Sequence, residues 1–551
     1  MLRFLVSISF ILLVVSGNAQ IWKNAVRAVA VKAYIQSINS KQSYEPNKII
    51  KERFEKLQNK EKMSRSDSIQ RKKRLQKEMM NLKNSVQQQN VPKKKSSSVT
   101  TNIAPSQSKN QKDKVLNRFL SYVKIESQSV DVPDFNAFPM TEGQKKIAMF
   151  LADEIRSFGG KNVEITVSKD YYVYVKIPSN LSASKNKTTP NLFFTAHLDV
   201  TPEAPGKGIT PIVHSNYQGG DLILSPNIIL SPSSPAGSRL NELKGKTIVT
   251  TDGTTLLGAD DKAGCTILVT LIEELIKNPR IKHPDLYFMF SQNEDIGRAA
   301  YRYDAEVFGT RPDIVIDVDG GDPNVFSAEN FTASGQTFYF KGNKAHPGDG
   351  LKSQYADALT AAAYFIGAIP PSVHPSASSG KQGYLHCYAC EHPIDESGKV
   401  IEEDYIAKYR IRYFEQQEGD SLRAYLQNAY QKASKAFPFV TITPSEEVKQ
   451  YDNIAYTMYK HTPEIIQQAA LKEGIQMSPK SERGGTTSSM LVTTGALPGG
   501  PCIYSGQQAA HSCLEWCCIE DLTLMVQVLK NIISETSVSY THLTLPTTER
   551  V

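Results

Sequence analysis

The sequence predicts a largely parallel α/β sheet with helices on both faces, carrying an inserted ferredoxin-like α+β unit. Three observations predict it. Short apolar runs at 171–177, 192–196, 286–291 and 314–318 are separated by helical stretches such as 263–275, the pattern of strands covered on both faces. Beyond Phe331, residues 336–341, 383–390 and 405–413 alternate like half-buried antiparallel strands, with helical spacing at 356–366 and 421–434. The chain then returns to helical patterning at 462–473 and 522–533, completing the first unit after the insertion.

Taken in order, residues 1–20 place Arg3 before the apolar run 4–15 and then Ser16, Gly17 and Ala19, which reads as a secretory signal and implies an exported, periplasmic or secreted, protein. No later run is apolar and long enough to suggest a membrane span after signal cleavage. The net charge of +7 conceals an asymmetry. Residues 21–115 hold 23 Lys and Arg against 7 Asp and Glu, so the rest of the chain is acidic on balance. Segment 21–114 is therefore a basic, low-complexity or helical extension, a spacer or a contact to an anionic surface; without interleaved aromatics it gives no reason to expect nucleic-acid binding. At 551 residues the chain exceeds what one core serves. Its expected divisions are a first body segment at 115–331, opening with amphipathic helices at 115–126 and 141–158, an insert at 332–452 and a second body segment at 453–535. Residues 536–551 are Thr-rich and weakly patterned, and read as an atypical tail.

Seven cysteines are an odd number, which rules out complete pairing within one chain. Cys387 and Cys390 lie in an alternating run between His386 and His392, but no second pair stands at zinc-site spacing, leaving strand packing or one disulfide. Cys513, Cys517 and Cys518 read as thiols near a helix start, with a disulfide at Cys517 or Cys518 open in an oxidising compartment.

The strong polar signals sit where apolar strands end. LFFTA delivers His197 and Asp199 to one side of a strand, a metal-binding imidazole with a carboxylate able to orient it. TTDGTTLLGADDKAG supplies Gly258 for a tight turn, Asp260 with two oxygens to share between cations, and Asp261 as a helix cap. LYFMFSQNEDIG ends in Glu294 and Asp295, and DIVIDVDGG ends in Asp319. Four acid-bearing strand ends on the carboxyl edge of one sheet would repel one another unless cations neutralised them, so the constellation implies metal.

The motifs HLDVTPEAPGKG, NYQGGD, TTDGTTLLGADDKAG, NEDIG, VDGG, AHPG and RGGT occur in an order and spacing that resembles the peptidase T family, within the two-zinc clan of aminoacylases, desuccinylases and exopeptidases. The likeness covers roughly 115–533. It implies that His197 and Asp319 hold one zinc, Asp295 and His511 the other, and that Asp260 bridges them, with Co²⁺ or Mn²⁺ as possible substitutes. Glu294 would be the general base and Asp199 would orient His197. The insert would act as a lid and possible homodimer contact, bringing His346 to the oxyanion and Arg412 to the substrate carboxylate, while Arg483 matches another substrate-side arginine.

The sequence departs from that pattern at Thr487, where the family's R-G-G-T-D-G carries Asp, and at Gln507 to Ala510, where it has aromatic and Asn residues. Ser512, Cys513 and Leu514 replace a Gly-Lys-His run ahead of Glu515, and Asp295 stands in place of Glu. The expected activity is release of the N-terminal residue of short peptides, specifically tripeptides. The alternatives are a dipeptidase, carboxypeptidase or deacylase of the same clan, and a zinc-binding protein whose catalysis has decayed. A retained base at Glu294 speaks against the last.

Overall fold

The structure, a computed structural model, describes residues 105–132, 137–395 and 397–538. The chain divides into units Met1–Thr101 and Asn102–Val551, and every described residue belongs to the second. The expected signal segment, the basic extension up to residue 104 and the tail beyond residue 538 lie outside the described residues. Among the described residues no helix is long and apolar enough to cross a membrane.

Eight strands form the main sheet: β1 (Glu164–Val167), β2 (Val173–Ile177), β3 (Leu192–His197), β8 (Leu286–Ser291), β9 (Ile314–Gly320), β10 (Val325–Asn330), β16 (Ser478–Glu482) and β17 (Cys502–Tyr504), in the order β1-β2-β8-β3-β9-β17-β10-β16. The central run β8-β3-β9-β17 is parallel, as is β10 with β16, whereas β1 and β2 add an antiparallel edge. Every residue of LFFTAH in β3 is buried, as expected for a strand covered on both sides. One face packs under α1 (Pro105–Val123), α2 (Glu142–Ser157), α3 (Ala259–Lys277), α6 (Thr462–Lys472) and α8 (Ile519–Val538); the other, built on Phe193, Tyr287, Met289 and Val315, is covered by Leu491 of α7 (Thr487–Thr493) and by Phe308. Gly264 sets the depth of α3, since a Cβ there would lie 2.1 Å from the Val318 carbonyl oxygen. No residue but glycine lets the helix sit so close to β9.

The second sheet comprises β11 (Thr332–Lys341), β12 (Tyr384–Glu391), β13 (Tyr405–Tyr413) and β14 (Thr441–Pro444), in the order β12-β13-β11-β14, with β15 (Val448–Tyr451) also paired to β11. Its paired neighbours are antiparallel, and α4 (Ala358–Gly367) and α5 (Gln416–Ala436) close one face over a separate core that includes Phe338, Phe340, Phe365, Leu385, Ile411 and Leu426. This is the ferredoxin-like arrangement with one strand added. Tyr339, Tyr388 and Val448 remain exposed. The chain leaves the first unit and re-enters it side by side: Asn330 Nδ2 donates to the Asp452 carbonyl at 3.1 Å, its Oδ1 accepts from the Ile454 N–H at 2.9 Å, and the Asn330 N–H donates to Asn453 Oδ1 at 3.3 Å.

Two features were not foreseen from the sequence. β4 (Ile212–His214), β7 (Ile248–Thr250), β18 (Gln507–Gln508) and β19 (Trp516–Cys518) make a third sheet beside a hairpin of β5 (Leu222–Ser225) and β6 (Ile228–Leu230). In addition α1 begins at Pro105, ahead of the expected boundary at 115, because Lys112 pairs with Glu520 and Lys114 with Glu273 rather than through any apolar stripe. All seven cysteines are free thiols. Cys517 and Cys518 are buried on β19 immediately before α8, so neither forms the disulfide left open, and Cys387 and Cys390 are likewise unpaired on β12.

Candidate metal centre and active site

The carboxyl ends of β3, β8 and β9 converge on the turn that opens α3. His197 ends β3, Asp319 lies near the end of β9, and Glu294 and Asp295 occupy the turn after β8. That turn is shaped by Asn293, whose φ is +59° and whose buried amide accepts from Gln144 Nε2 at 2.7 Å and donates to the Pro139 carbonyl at 2.7 Å. The bend points two N–H groups at Asp199: Glu294 donates to Oδ1 at 3.1 Å and Asp295 to Oδ2 at 3.3 Å. Asp199 Oδ1 also lies 3.4 Å from His197 Nδ1, and its carbonyl oxygen 3.2 Å away. Asp199 thus holds the imidazole and the acid turn together, so the orienting role read from H-x-D extends to Glu294 and Asp295.

Among the described residues three groups of potential ligands have their donor atoms within 4.8 Å of one another: His197, Asp260 and Asp319; Asp260, Asp295 and His511; and His197, Glu294 and Asp295. Asp260 belongs to two of them. Its Oδ1 lies 2.9 Å from His197 Nε2 and its Oδ2 3.3 Å from His511 Nε2, one oxygen turned to each histidine. His511 Nε2 also meets Asp295 Oδ1 at 2.8 Å, and Asp319 Oδ1 lies 3.8 Å from His197 Nε2. Asp261 does not cap the start of α3, which opens at Gly258 with no side-chain cap; it accepts the Gly264 N–H at 3.1 Å and the His197 N–H at 3.2 Å from within the first turn, where the backbone of Asp260 and Asp261 is not yet helical.

The electrostatics fit a cation. Burial pushes the Glu294 carboxyl up to about 8, against the pull of His197 and with Asp295, Asp199 and Asp260 repelling its charge. Burial lifts Asp295 to about 7, with Asp260 adding to the rise and the hydrogen bond from His511 opposing it, and it lifts Asp319 well above the carboxylate range. Hydrogen bonds to Asp260 and Asp295 raise His511 to about 11. Without an added positive charge, the cluster must retain protons on imidazoles and carboxyls that metal ligation would displace. While Asp295 Oδ1 meets the His511 imidazole, its Oδ2 is buried with no hydrogen-bond partner, an oxygen left unsatisfied that a cation would satisfy. The set of two imidazoles and three carboxylates suits a borderline divalent cation.

Three residues beside the proposed ligands take no role from the sequence, although Glu203 lies within HLDVTPEAPGKG and Glu515 is retained from the family pattern. Gln507 donates Nε2 to Asp319 Oδ1 at 2.8 Å, Glu203 Oε2 lies 3.1 Å from His511 Nδ1, and Glu515 takes three backbone N–H groups around Asp260. Glu203 sits in a Pro- and Gly-containing loop, where a carboxylate reads as solvated. The three candidate substrate residues lie outside the ligand groups. His346 is exposed and accepts the Gly348 N–H at 3.1 Å. Arg412 is buried in the second sheet, donating to the Ser334 and Ile411 carbonyls, each at 3.0 Å, and to Gln450 Oε1 at 2.7 Å. Arg483 donates to the Gly380 and Gln382 carbonyls at 2.7 and 3.0 Å and lies over the Phe331 ring at 4.9 Å.

The chain resembles solved structures of one fold. Aminopeptidase PepT from Bacillus cereus ATCC 10987 superposes with a TM-score of 0.58 at 19% identity, over 77% of this chain and 99% of that one. A dinuclear metal-binding peptidase of the M20 family from Bacillus subtilis gives 0.52 at 10% identity, over 79% and 99%. At these identities the two likenesses show the fold that this chain shares. Curated relatives share more sequence: peptidase T of Geobacillus thermodenitrificans is 32% identical over 427 residues, 77% of this chain and 98% of the relative, and peptidase T of Clostridium perfringens is 33% identical over 423 residues, 76% and 98%. The chain belongs to the peptidase T family. A scan against protein-family models gives no match.

Proposed function

We propose that this chain is a two-zinc aminopeptidase that releases the N-terminal residue of tripeptides. The metal reading rests on one observation above all, that Asp260 turns one oxygen to each of two histidines that have further carboxylates beside them. The substrate reading draws its support from membership of the peptidase T family. His197, Asp319 and Asp260 would hold one ion, and Asp295, His511 and Asp260 the other. When bound, the ions supply a Lewis acid for the scissile carbonyl and lower the pKa of water. Glu294, outside both of those sets, takes a proton from the attacking water on its carboxylate and passes it to the leaving amine nitrogen. Asp199 keeps Glu294 in place through its N–H and fixes the His197 ring, so that base and ligand stay in register.

A panel of free and N-blocked di-, tri- and tetrapeptides with added Zn²⁺ tests the reading. Release of the first residue from free tripeptides is the expected result; deacylation of blocked substrates in its place would transfer the chain to the deacylase alternative. Arg412 provides a sharper comparison. Its Nη2 is bonded to a neutral amide, Gln450, which a substrate carboxylate would replace with a charge-assisted pair worth roughly 1.5 to 3 kcal/mol. Arg412→Ala is then expected to slow cleavage of free tripeptides roughly ten- to a hundredfold and of C-terminally amidated ones far less. Equal losses on both substrates would make Arg412 a support of the insert and not a carboxylate anchor.

A further inference from the structure

Glu515 is buried, with 2% of its surface exposed, and touches none of the atoms that would face a metal. Its Oε2 accepts the N–H groups of Leu257 and Gly258, both at 2.7 Å, and its Oε1 accepts that of Asp260 at 2.8 Å. One carboxylate therefore takes three N–H groups of a single turn, whose backbone is left-handed at Gly258, with φ +79°. The residue after that turn's glycine and alanine is Asp260, the ligand shared between two groups. Glu515 also stands on the segment that carries His511. The next residue, Trp516, is fully buried in β19 and donates Nε1 to the Ala236 carbonyl at 2.9 Å, and Cys517 pairs with Val249 of β7. One side chain thus ties the segment bearing His511 to the turn bearing Asp260.

The two ligand groups do not depend on this tie equally. His197 and Asp319 stand on adjacent strands of the main sheet: His197 pairs with Ser291 of β8, and Asp319 lies between Val318 and Gly320, which pair with Ile503 and Tyr504 of β17. His511 has no strand of its own: it lies in the loop between β18 and β19 at φ +59°, with its side chain 36% exposed. We propose that Glu515 is a positioning residue that sets Asp260 against His511, so that cation binding at Asp260, Asp295 and His511 requires it while binding at His197, Asp260 and Asp319 largely does not. The proposal rests on the metal reading above.

The test is made on the full chain, stripped with a chelator and titrated with Zn²⁺. Glu515→Gln fills the same volume but turns an amide N–H group toward backbone N–H groups, removing acceptor capacity where three donors converge. The wild type should take up two equivalents. Glu515→Gln should keep the first at wild-type affinity and bind the second about ten- to a hundredfold more weakly, the range seen when an outer support of a ligand is lost. Its turnover should fall with KM little changed and should recover as Zn²⁺ is raised. Glu273→Gln, a buried acid on α3 remote from the ligands, is the control for general loosening: it should lower the melting temperature of the stripped protein and leave both equivalents bound. If Glu515→Gln does not fold, Glu515→Asp, shorter by one methylene, is titrated in its place. Two equivalents at wild-type affinity, or parallel weakening of both, would overturn the proposal. A wild type that binds no divalent cation would instead overturn the metal reading from which it starts.

Discussion

Glu294→Gln is expected to lower kcat by about 10² to 10⁴ while leaving bound metal and KM nearly unchanged. The amide has the shape of the acid, so the turn after β8 and its N–H contacts to Asp199 should persist. What it lacks is an oxygen able to take a proton from water. The five proposed ligands are untouched by the change, so metal content measured on the purified variant separates loss of the base from loss of the site. Each tenfold is about 1.4 kcal/mol of transition-state stabilisation, so the whole effect amounts to roughly 3 to 5 kcal/mol. Wild-type turnover in a metal-loaded variant would remove Glu294 from the reaction and leave proton transfer to another carboxylate.

Arg118→Met is expected to destabilise the folded chain by about 3 kcal/mol, roughly a hundredfold in the folding equilibrium, with no direct effect on the metal centre. Arg118 is 6% exposed on α1, and its guanidinium meets Glu154 at 2.7 Å, Glu273 at 2.7 Å and Thr270 Oγ1 at 2.6 Å. Removing it leaves Glu273 buried with Lys114 and Lys277 as its remaining cations, which places the loss at the lower end for breaking a buried pair. Burial by itself would raise the Glu273 carboxyl, but hydrogen bonds from Arg118, Lys277 and Lys114 outweigh it and hold the group near a pKa of about 2. A depressed acid contributes stability above its unfolded value and loses it as pH falls toward the folded one, so the difference between wild type and variant should be full near neutrality and shrink between about pH 4.5 and 2. The midpoint of chemical denaturation, followed with pH, measures both effects. An unchanged midpoint would mean that α1 is not held through this network. The same network shows where a truncation must stop: a cut at residue 113 removes Lys112 and leaves α1 incomplete, whereas one ending at 104 spares the helix.

The elements legible in the sequence were those with a period. LFFTAH, LYFMFS and IVIDVDG announce strands because both sheet faces are covered, and their ends announce His197, Glu294, Asp295 and Asp319 because a polar group following a buried strand emerges at the sheet edge. Asp260 was legible through the glycine turn before it. His511 was reached only through the family resemblance, since it lies in a loop between strands of two and three residues with no periodic signal. The start of α1 was missed for a related reason: its first turns are polar, and charge pairing across sequence distance replaces an apolar stripe.

The sequence by itself determined the alternation of strands and helices, the insertion of a second unit and the acids at the strand ends, because these depend on contacts between near neighbours and on which side chains must leave water. Only the tertiary structure decided which of those acids lie close enough to share a cation, that Arg412 is buried against Gln450 rather than exposed, and that Glu203, Gln507 and Glu515 contact the candidate ligands or their turn. These pairings join residues far apart in the chain, Glu515 to Leu257 or His511 to Glu203. Their energies come from distances and burial that no local pattern encodes.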